Sequence, residues 1–405
     1  GARQRGACAV EKKTVCVVTG TRAEYGLLRG VVKALAQSRV LAVRLVVTGA
    51  HLAQEFGMTV REIEADGVPI DARIPILKFG TGTALATAKT TAYALEQFIE
   101  YFTAHRPDMV LVLGDRYEIF AAGQAAALLG IPLAHISGGD VTLGAADDYF
   151  RHCLTKMASL HFPACEEYAA RVVRMGEAPE TVHCVGGLGD ENIRSLPLLE
   201  KDALAQSLGL ALARPYALVT YHPETAGGAS PTAQFRALLR ALESFAGLDV
   251  IFTKSNADAG GAAINALIDE ACAQKPGRWA AFTSLGVLRY LSAMKYATAV
   301  VGNSSSGVVE TPTFRVPAVN IGARQKGRII CANVLCCEAD EAGIRAALET
   351  ALSPAFRRKA AGAKSPYDGG PTAARIAAAL EQWVQSPAFG RPKTFYDAPC
   401  KEERA

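Results

Sequence analysis

The sequence predicts an α/β protein made of two doubly wound parallel-sheet domains facing a central cleft. Three observations predict it. Short apolar runs alternate with longer segments of helical period, the pattern of a parallel sheet covered on both faces. Two of those runs end in polar, glycine-rich loops, Gly114-Asp115-Arg116-Tyr117-Glu118 and Gly302-Asn303-Ser304-Ser305-Ser306-Gly307. The carboxyl ends of strands are where open α/β sheets bind ligands. Finally, 405 residues exceed what one core accommodates, so each half receives one such loop.

The elements follow in order. Thr14 to Thr19 is β-rich and ends at Gly20, as a buried parallel strand would. A helix is expected from Ala23 to Gln37, with Leu27, Leu28, Val31, Val32 and Leu35 on one face. Val43 to Val47 is the next strand, Ala84 to Ala104 a long helix, and Met109 to Leu113 a further strand. A helix from Tyr117 to Leu129 stops at Gly130, a C-terminal cap. Strand Leu133 to Ile136 runs into Ser137-Gly138-Gly139-Asp140. Gly186-Gly187-Leu188-Gly189 breaks the alternation and places a linker between about 186 and 213. The second series has strands at Tyr216 to Tyr221, Val250 to Thr253, Thr298 to Val301 and Ala318 to Ile321. Its last helix, Thr372 to Gln385, follows Pro371. Domains are therefore expected at 1–190 and 191–386, with a polar tail at 387–405.

Half the residues are hydrophobic and a fifth are charged, a globular composition. The net charge of +4 comes without a dense Lys/Arg block, which argues against nucleic acid or an anionic membrane as partner. No apolar segment reaches the ~18 residues needed to span a bilayer. No secretory apolar core follows the basic start, so a cytoplasmic protein is expected. Ten cysteines without CxxC spacing read as reduced thiols rather than a disulfide framework.

Several residues suit anion binding or proton transfer. Gly20-Thr21-Arg22 combines helix-start N–H groups with a guanidinium, or is simply a tight turn with a solvated Arg. The serine loop offers hydroxyls and N–H groups to phosphate oxygens, and Glu310 could accept from two ribose hydroxyls or merely suit its helix dipole. Pro223 keeps His222 extended at a strand end, where it could face a ligand or be satisfied by backbone. Arg324, Lys326 and Arg328 could clamp a pyrophosphate or form a solvated surface. The first half supplies the acids Asp115, Glu118, Asp140, Asp147 and Asp148. Asp147 and Arg151 are four apart, so an ordinary helical ion pair competes with general acid–base work. His135, His152, Asp140 and Asp115 lack metal-ligand spacing, and no metal is expected.

Taken together these motifs resemble the hydrolysing UDP-N-acetylglucosamine 2-epimerases, especially the bacterial sialic-acid-pathway type. The resemblance runs from about Val15 to Pro399. It includes Thr19-Gly20-Thr21-Arg22-Ala23-Glu24-Tyr25-Gly26, Gly114 to Glu118, Arg151-His152 with Thr155-Lys156-Met157, and His222-Pro223-Glu224-Thr225. It continues through Ser255-Asn256-Ala257-Asp258, the serine loop, Arg324 to Arg328 and Phe395-Tyr396-Asp397. A close relative, the epimerase of legionaminic-acid synthesis, looks the same. The resemblance implies a GT-B-like fold of two Rossmann-like domains and a reaction without metal or cofactor. It implies elimination of UDP to a glycal, then addition of water, in nonulosonic acid biosynthesis. By motif match, Arg22, Arg116, His222, Asn256, Ser304, Ser305, Ser306, Gly307, Glu310 and Arg324 would hold the UDP-sugar. Asp115, Asp147, Asp140, Arg151 and His222 would serve the chemistry. A homo-dimer or homo-tetramer is implied as well. One departure stands out: many members carry an acid where Ser137 stands in His135-Ile136-Ser137-Gly138-Gly139-Asp140. The similar sialic-acid enzymes keep a Glu at the position of Asp140, which points to Asp140 as its replacement.

Overall fold

The computed structural model describes residues 11–80, 83–142, 146–223, 230–254 and 261–397. The chain divides into two units, 1–191 with 369–405, and 192–368. The first holds strands β1 (Lys13–Thr19), β2 (Leu41–Thr48), β3 (Ile70–Ile74), β4 (Met109–Leu113), β5 (Leu133–Ile136) and β6 (Leu160–Phe162). All are parallel, in the order β3-β2-β1-β4-β5-β6. The second holds β7 (Tyr216–Thr220), β8 (Asp249–Thr253), β9 (Trp279–Phe282), β10 (Ala299–Gly302), β11 (Ala318–Ile321) and β12 (Val334–Cys337). Its order, β12-β11-β10-β7-β8-β9, is the same topology counted from the other edge. Both sheets therefore reverse direction between their first and fourth strands, β1/β4 and β7/β10. At such a point the flanking connections diverge to opposite faces and leave a crevice beyond the strand ends.

Alternation along each strand divides the core into two faces. Val15 and Val17 pack with Leu28, Val31 and Leu35 of the helix Arg22–Ala36. Cys16 and Val18 pack on the other face with Phe98 and Phe102 of the helix Ala84–Ala104. In the second unit Ala217 and Val219 meet Phe235 and Leu238 of the helix Pro231–Glu243. Tyr216 and Leu218 meet Leu204, Ala293 and Met294. Every residue of β4 and β7 is buried, which explains why these strands read as unbroken apolar runs.

The sequence reading needs one correction at the domain boundary. The helix Thr372–Gln385 was expected in the second domain, at 191–386. It belongs to the first unit, because Ala373, Ile376 and Leu380 complete the core around Val15 and Leu28. Thr372 Oγ1 also donates to Val185 O at 3.0 Å, and Ala373 N to Glu191 at 2.9 Å. The expected linker is largely helical, at Leu188–Ser195 and Lys201–Leu208. Strands β3, β6, β9 and β12 add edges for which the sequence reading named no span. Among the described residues no helix is long and apolar enough to cross a membrane.

The segment after Pro387 is anchored by charge. Glu177 is buried, and its carboxylate receives Lys156 at 2.6 Å, His161 at 2.9 Å and Lys393 at 2.6 Å. Lys393 also donates to the carbonyls of Lys156 and Ala158, and Tyr396 N to Gly176 O. Burial alone pushes the Glu177 carboxyl up, but hydrogen bonds from His161, Lys156 and Lys393 outweigh it and bring it to about 2.

Glu177→Gln should therefore cost about 3 kcal/mol of stability, since removing one partner leaves buried charge uncompensated. The pH dependence has a definite sign. The folded value lies below the unfolded 4.5, so this contribution is present above pH 4.5 and lost as pH falls toward 2. Denaturant midpoints of both proteins across that window test it; equal midpoints at neutral pH would contradict the assignment.

Candidate active site

The first group of site residues gathers beyond β1 and β4. After β1 the chain enters the helix Arg22–Ala36 through a capping box. Thr21 Oγ1 accepts from Glu24 N at 3.3 Å, while Glu24 Oε2 accepts from Gly20 N at 2.8 Å and Thr21 N at 3.0 Å. Gly20 must lack a side chain: a Cβ there would lie 2.6 Å from Glu118. Glu118 itself is buried and pairs with Arg116 Nε at 2.6 Å. Two carboxylates thus sit under one loop, and each keeps one buried oxygen without a hydrogen-bond partner, Glu24 Oε1 and Glu118 Oε2. Burial first, and the charge of Glu118 second, push the Glu24 carboxyl up to about 8. Arg22 is exposed and paired with Glu62 at 2.9 Å.

Arg151 is the hub of this group. It is 5% exposed, on the helix Ala146–Met157. Its guanidinium donates to Asp115, to Asp148 at 3.0 Å, to the Asp140 carbonyl at 3.1 Å and to Thr142 Oγ1 at 3.1 Å. The expected pair with Asp147 is replaced by these contacts: Asp148, one turn back at i−3, takes the guanidinium. Asp148 also accepts from Thr142 N at 2.7 Å and lies 3.4 Å from His152 Nε2. Asp147 is exposed, and its carboxyl is raised by desolvation first and by the charge of Asp115 second. Asp140 Oδ1 accepts from Val141 N at 2.7 Å. The departure at Ser137 coincides with a left-handed backbone, φ 68°, in a loop whose Gly139 carbonyl is held by Arg171.

His135 does not act as a metal ligand. It is fully buried, bonded through Nε2 to the Gly114 carbonyl at 2.7 Å and through Nδ1 to Thr155 Oγ1 at 3.2 Å. Burial pushes its pKa down to about 3, so the neutral ring props the turn that carries Asp115. Among the described residues no cluster of three or more His, Cys, Asp or Glu could hold a metal ion.

The second group lies beyond β7 and β10. Gly302 has φ 141°, and a Cβ would collide with the Thr220 carbonyl at 1.8 Å; only glycine lets the two strand ends approach this closely. Asn303 is fully buried and clamps the His222 backbone from both sides. Its Oδ1 accepts from His222 N and its Nδ2 donates to His222 O, each at 2.8 Å. The Asn303 carbonyl in turn receives Gln325 Nε2 at 2.9 Å and Arg324 at 3.4 Å. This buried ladder joins the His222, serine and Arg324 loops. The serine loop leads into two four-residue helices, Ser306–Val309 and Thr311–Phe314, instead of one continuous helix. Glu310 stands at the break, accepts from Ser306 Oγ, and has its carboxyl raised by burial. Ser305 and Arg324 are exposed. Asn256 and the Glu224-Thr225 end of the His222 motif lie outside the described residues.

Sequence reasoning missed Asn303 and Gln325 as braces and Asp148 as the partner of Arg151. Asn303 did carry a signal, since a polar residue directly after the last glycine of a buried strand has to satisfy itself against neighbouring backbone.

Comparison with known proteins matches this architecture. The family described as "UDP-N-acetylglucosamine 2-epimerase" matches residues 33–381. The chain is 38% identical to "GDP/UDP-N,N'-diacetylbacillosamine 2-epimerase (hydrolyzing)" of Campylobacter jejuni, over 82% of this chain and 86% of that protein. It is 35% identical to "Polysialic acid biosynthesis protein P7" of Escherichia coli, over 96% and 98% of the two chains. The fold is that of the UDP-GlcNAc 2-epimerase from Neisseria meningitidis solved with UDP-GlcNAc, with TM-score 0.77 at 17% identity, covering 91% of this chain and all of that one.

The pH dependence of Glu24 tests the carboxylate pair. Its folded value of about 8 exceeds the unfolded 4.5, so its contribution is present below pH 4.5 and lost as pH rises to 8. Unfolding midpoints should show this fall in the wild type, and Glu24→Gln should flatten it. A slope that survives the substitution would remove Glu24 as its source.

Proposed function

The chain belongs to the UDP-N-acetylglucosamine 2-epimerase family and is a hydrolysing UDP-sugar 2-epimerase; on that premise we propose how its residues divide the reaction. The substrate is a UDP-2-acetamido-2-deoxyhexose, and the products are UDP and the free sugar with inverted C2, a 2-acetamido-mannose-type precursor for nonulosonic acid synthesis. The observation that carries this is the division of charge between the two sheets. Paired carboxylates around Arg151 stand at the β1/β4 reversal, and hydroxyls, His222 and Arg324 at the β7/β10 reversal.

In the first step a carboxylate takes the C2 proton while the C1–O bond breaks. Its electron pair leaves with the UDP β-phosphate, and a C1=C2 double bond forms. Asp115 and Asp147 are the proton-handling groups: crowding keeps the Asp147 carboxyl raised, and Arg151 keeps Asp115 ionised and aimed. In the second step water adds its oxygen to C1 and a proton reaches C2 from the opposite face. Asp140 stands in for the acid absent at Ser137.

Ser304, Ser305, Ser306 and Gly307 take the diphosphate, with Arg324 supplying charge-assisted bonds to the leaving group. His222, fixed by Asn303, bonds or protonates the departing phosphate. Glu310 accepts from the ribose hydroxyls, and Arg22 and Arg116 contribute further positive charge. Asn256 completes the binding set. The sequence-level preference was UDP-N-acetylglucosamine. The name of the C. jejuni relative brings in a second candidate, the 2,4-diacetamido-2,4,6-trideoxy sugar. Both share UDP and the C2 acetamido group, so the same chemistry serves either.

Asp115→Asn should cut turnover at least ~10²-fold, the worth of a positioned acid or base, with UDP affinity within a few-fold. Turnover equal to wild type would take Asp115 out of the mechanism. By contrast, Arg324→Ala should weaken UDP binding by about 1.5–3 kcal/mol, measured by calorimetry; unchanged affinity would refute that role. Proton NMR of either UDP-sugar incubated with the enzyme reads the reaction itself, and intact substrate after prolonged incubation would count against it.

A further inference from the structure

The acids and cations at the β1/β4 reversal hold one another, but a cavity in the same unit is left without a role. It has a volume of about 340 Å³. We propose that this cavity, walled by Thr21, Ala50, Phe56, Leu77, Thr90 and Tyr117, receives the 4-acetamido and 6-methyl end of the sugar. The preferred substrates are then UDP-2,4-diacetamido-2,4,6-trideoxyhexoses rather than UDP-N-acetylglucosamine. The inference rests on the reaction proposed above and names its substrate class.

Position comes first. The lining contains Thr21, the neighbour of Arg22, and Arg116, the neighbour of Asp115. Adjacent Cα atoms are 3.8 Å apart, so the cavity borders the residues assigned to the phosphate and to the C2 proton. Size comes next. Its volume is roughly ten times the ~30 Å³ share of one water, far more than a hydroxyl at C4 would use.

The chemistry of the walls narrows the occupant. Ala50, Phe56, Leu77 and Tyr117 are apolar or aromatic, and no carboxylate is among the lining residues described. Such walls suit methyl groups and offer little to the C6 hydroxyl of N-acetylglucosamine. Phe56 is 46% exposed, a large apolar ring with no core to cover it.

One polar atom points to an amide. Thr90 lines the cavity and is 1% exposed, yet its Oγ1 has no hydrogen-bond partner. Buried hydroxyls are ordinarily satisfied, and a hydroxyl both donates and accepts. An acetamido group brings an N–H and a C=O to pair with it, and a methyl to lie against Leu77 and Ala50. A ligand hydroxyl could meet Thr90 but would leave the apolar walls uncovered.

The test is kcat/KM on both UDP-sugars, for the wild type, Thr90→Val and Ala50→Phe. The wild type should prefer the diacetamido sugar at least ~10-fold, within the range a hydrophobic pocket discriminates. Ala50→Phe, which fills the cavity, should cut activity on that sugar at least ~10-fold and leave UDP-N-acetylglucosamine within about 3-fold. Thr90→Val should lower activity on the diacetamido sugar alone. Because Thr90 Oγ1 makes no internal bond, its unfolding midpoint should not drop. A wild-type preference for UDP-N-acetylglucosamine, or equal losses on both sugars in both variants, overturns the inference and leaves the proposed reaction standing. Turnover of neither sugar by the folded wild type overturns both.

Discussion

The buried guanidinium of Arg151 is the constraint on which the first half of the site depends. A cation taken from water must be repaid by several partners at once. Arg151 finds them on three segments: Asp115 after β4, Asp140 and Thr142 after β5, and Asp148 on its own helix. Each partner is thereby held in one place. The carboxylate best suited to proton transfer is also the one that keeps the cation satisfied, so catalysis and local order share a single interaction.

The second unit solves the same geometric problem without buried charge. Its strand order repeats that of the first, and its loops again meet at the reversal between the first and fourth strands. Here a neutral amide does the bracing. Asn303 satisfies both backbone groups of His222, and Gln325 satisfies the carbonyl of Asn303. A neutral brace leaves the positive groups Arg324 and His222 uncommitted to an internal carboxylate, which suits a surface that must accept a diphosphate. The first unit does the opposite: Arg22, Arg116 and Arg151 are each already paired with an acid.

Much of the site was legible as residue types. Asp115, Arg151, His222 and the serine loop follow buried strands or open helices in the sequence, and the structure brings them to strand ends. Their partners were less legible. Asp147 and Asp148 both stand within reach of Arg151 along a helix, and spacing alone favoured the i,i+4 pair. The backbone N–H of Thr142 and the placement of Asp115 select Asp148 instead. The pairing of Glu24 with Glu118 across ninety-four positions was likewise invisible, because it depends on Gly20 leaving room for Glu118.

By itself the sequence determined the alternation of buried strands and amphipathic helices, the presence of two sheets and the loops that carry chemistry. Those features are encoded locally, in periodicity and in glycine and proline positions. Tertiary structure alone decided that Thr372–Gln385 returns to the first unit, that Glu177 gathers Lys393 from the far end of the chain, and that a cavity with an unpaired threonine hydroxyl opens beside Arg116. These depend on which apolar faces and charges meet across hundreds of residues, and no local period records that.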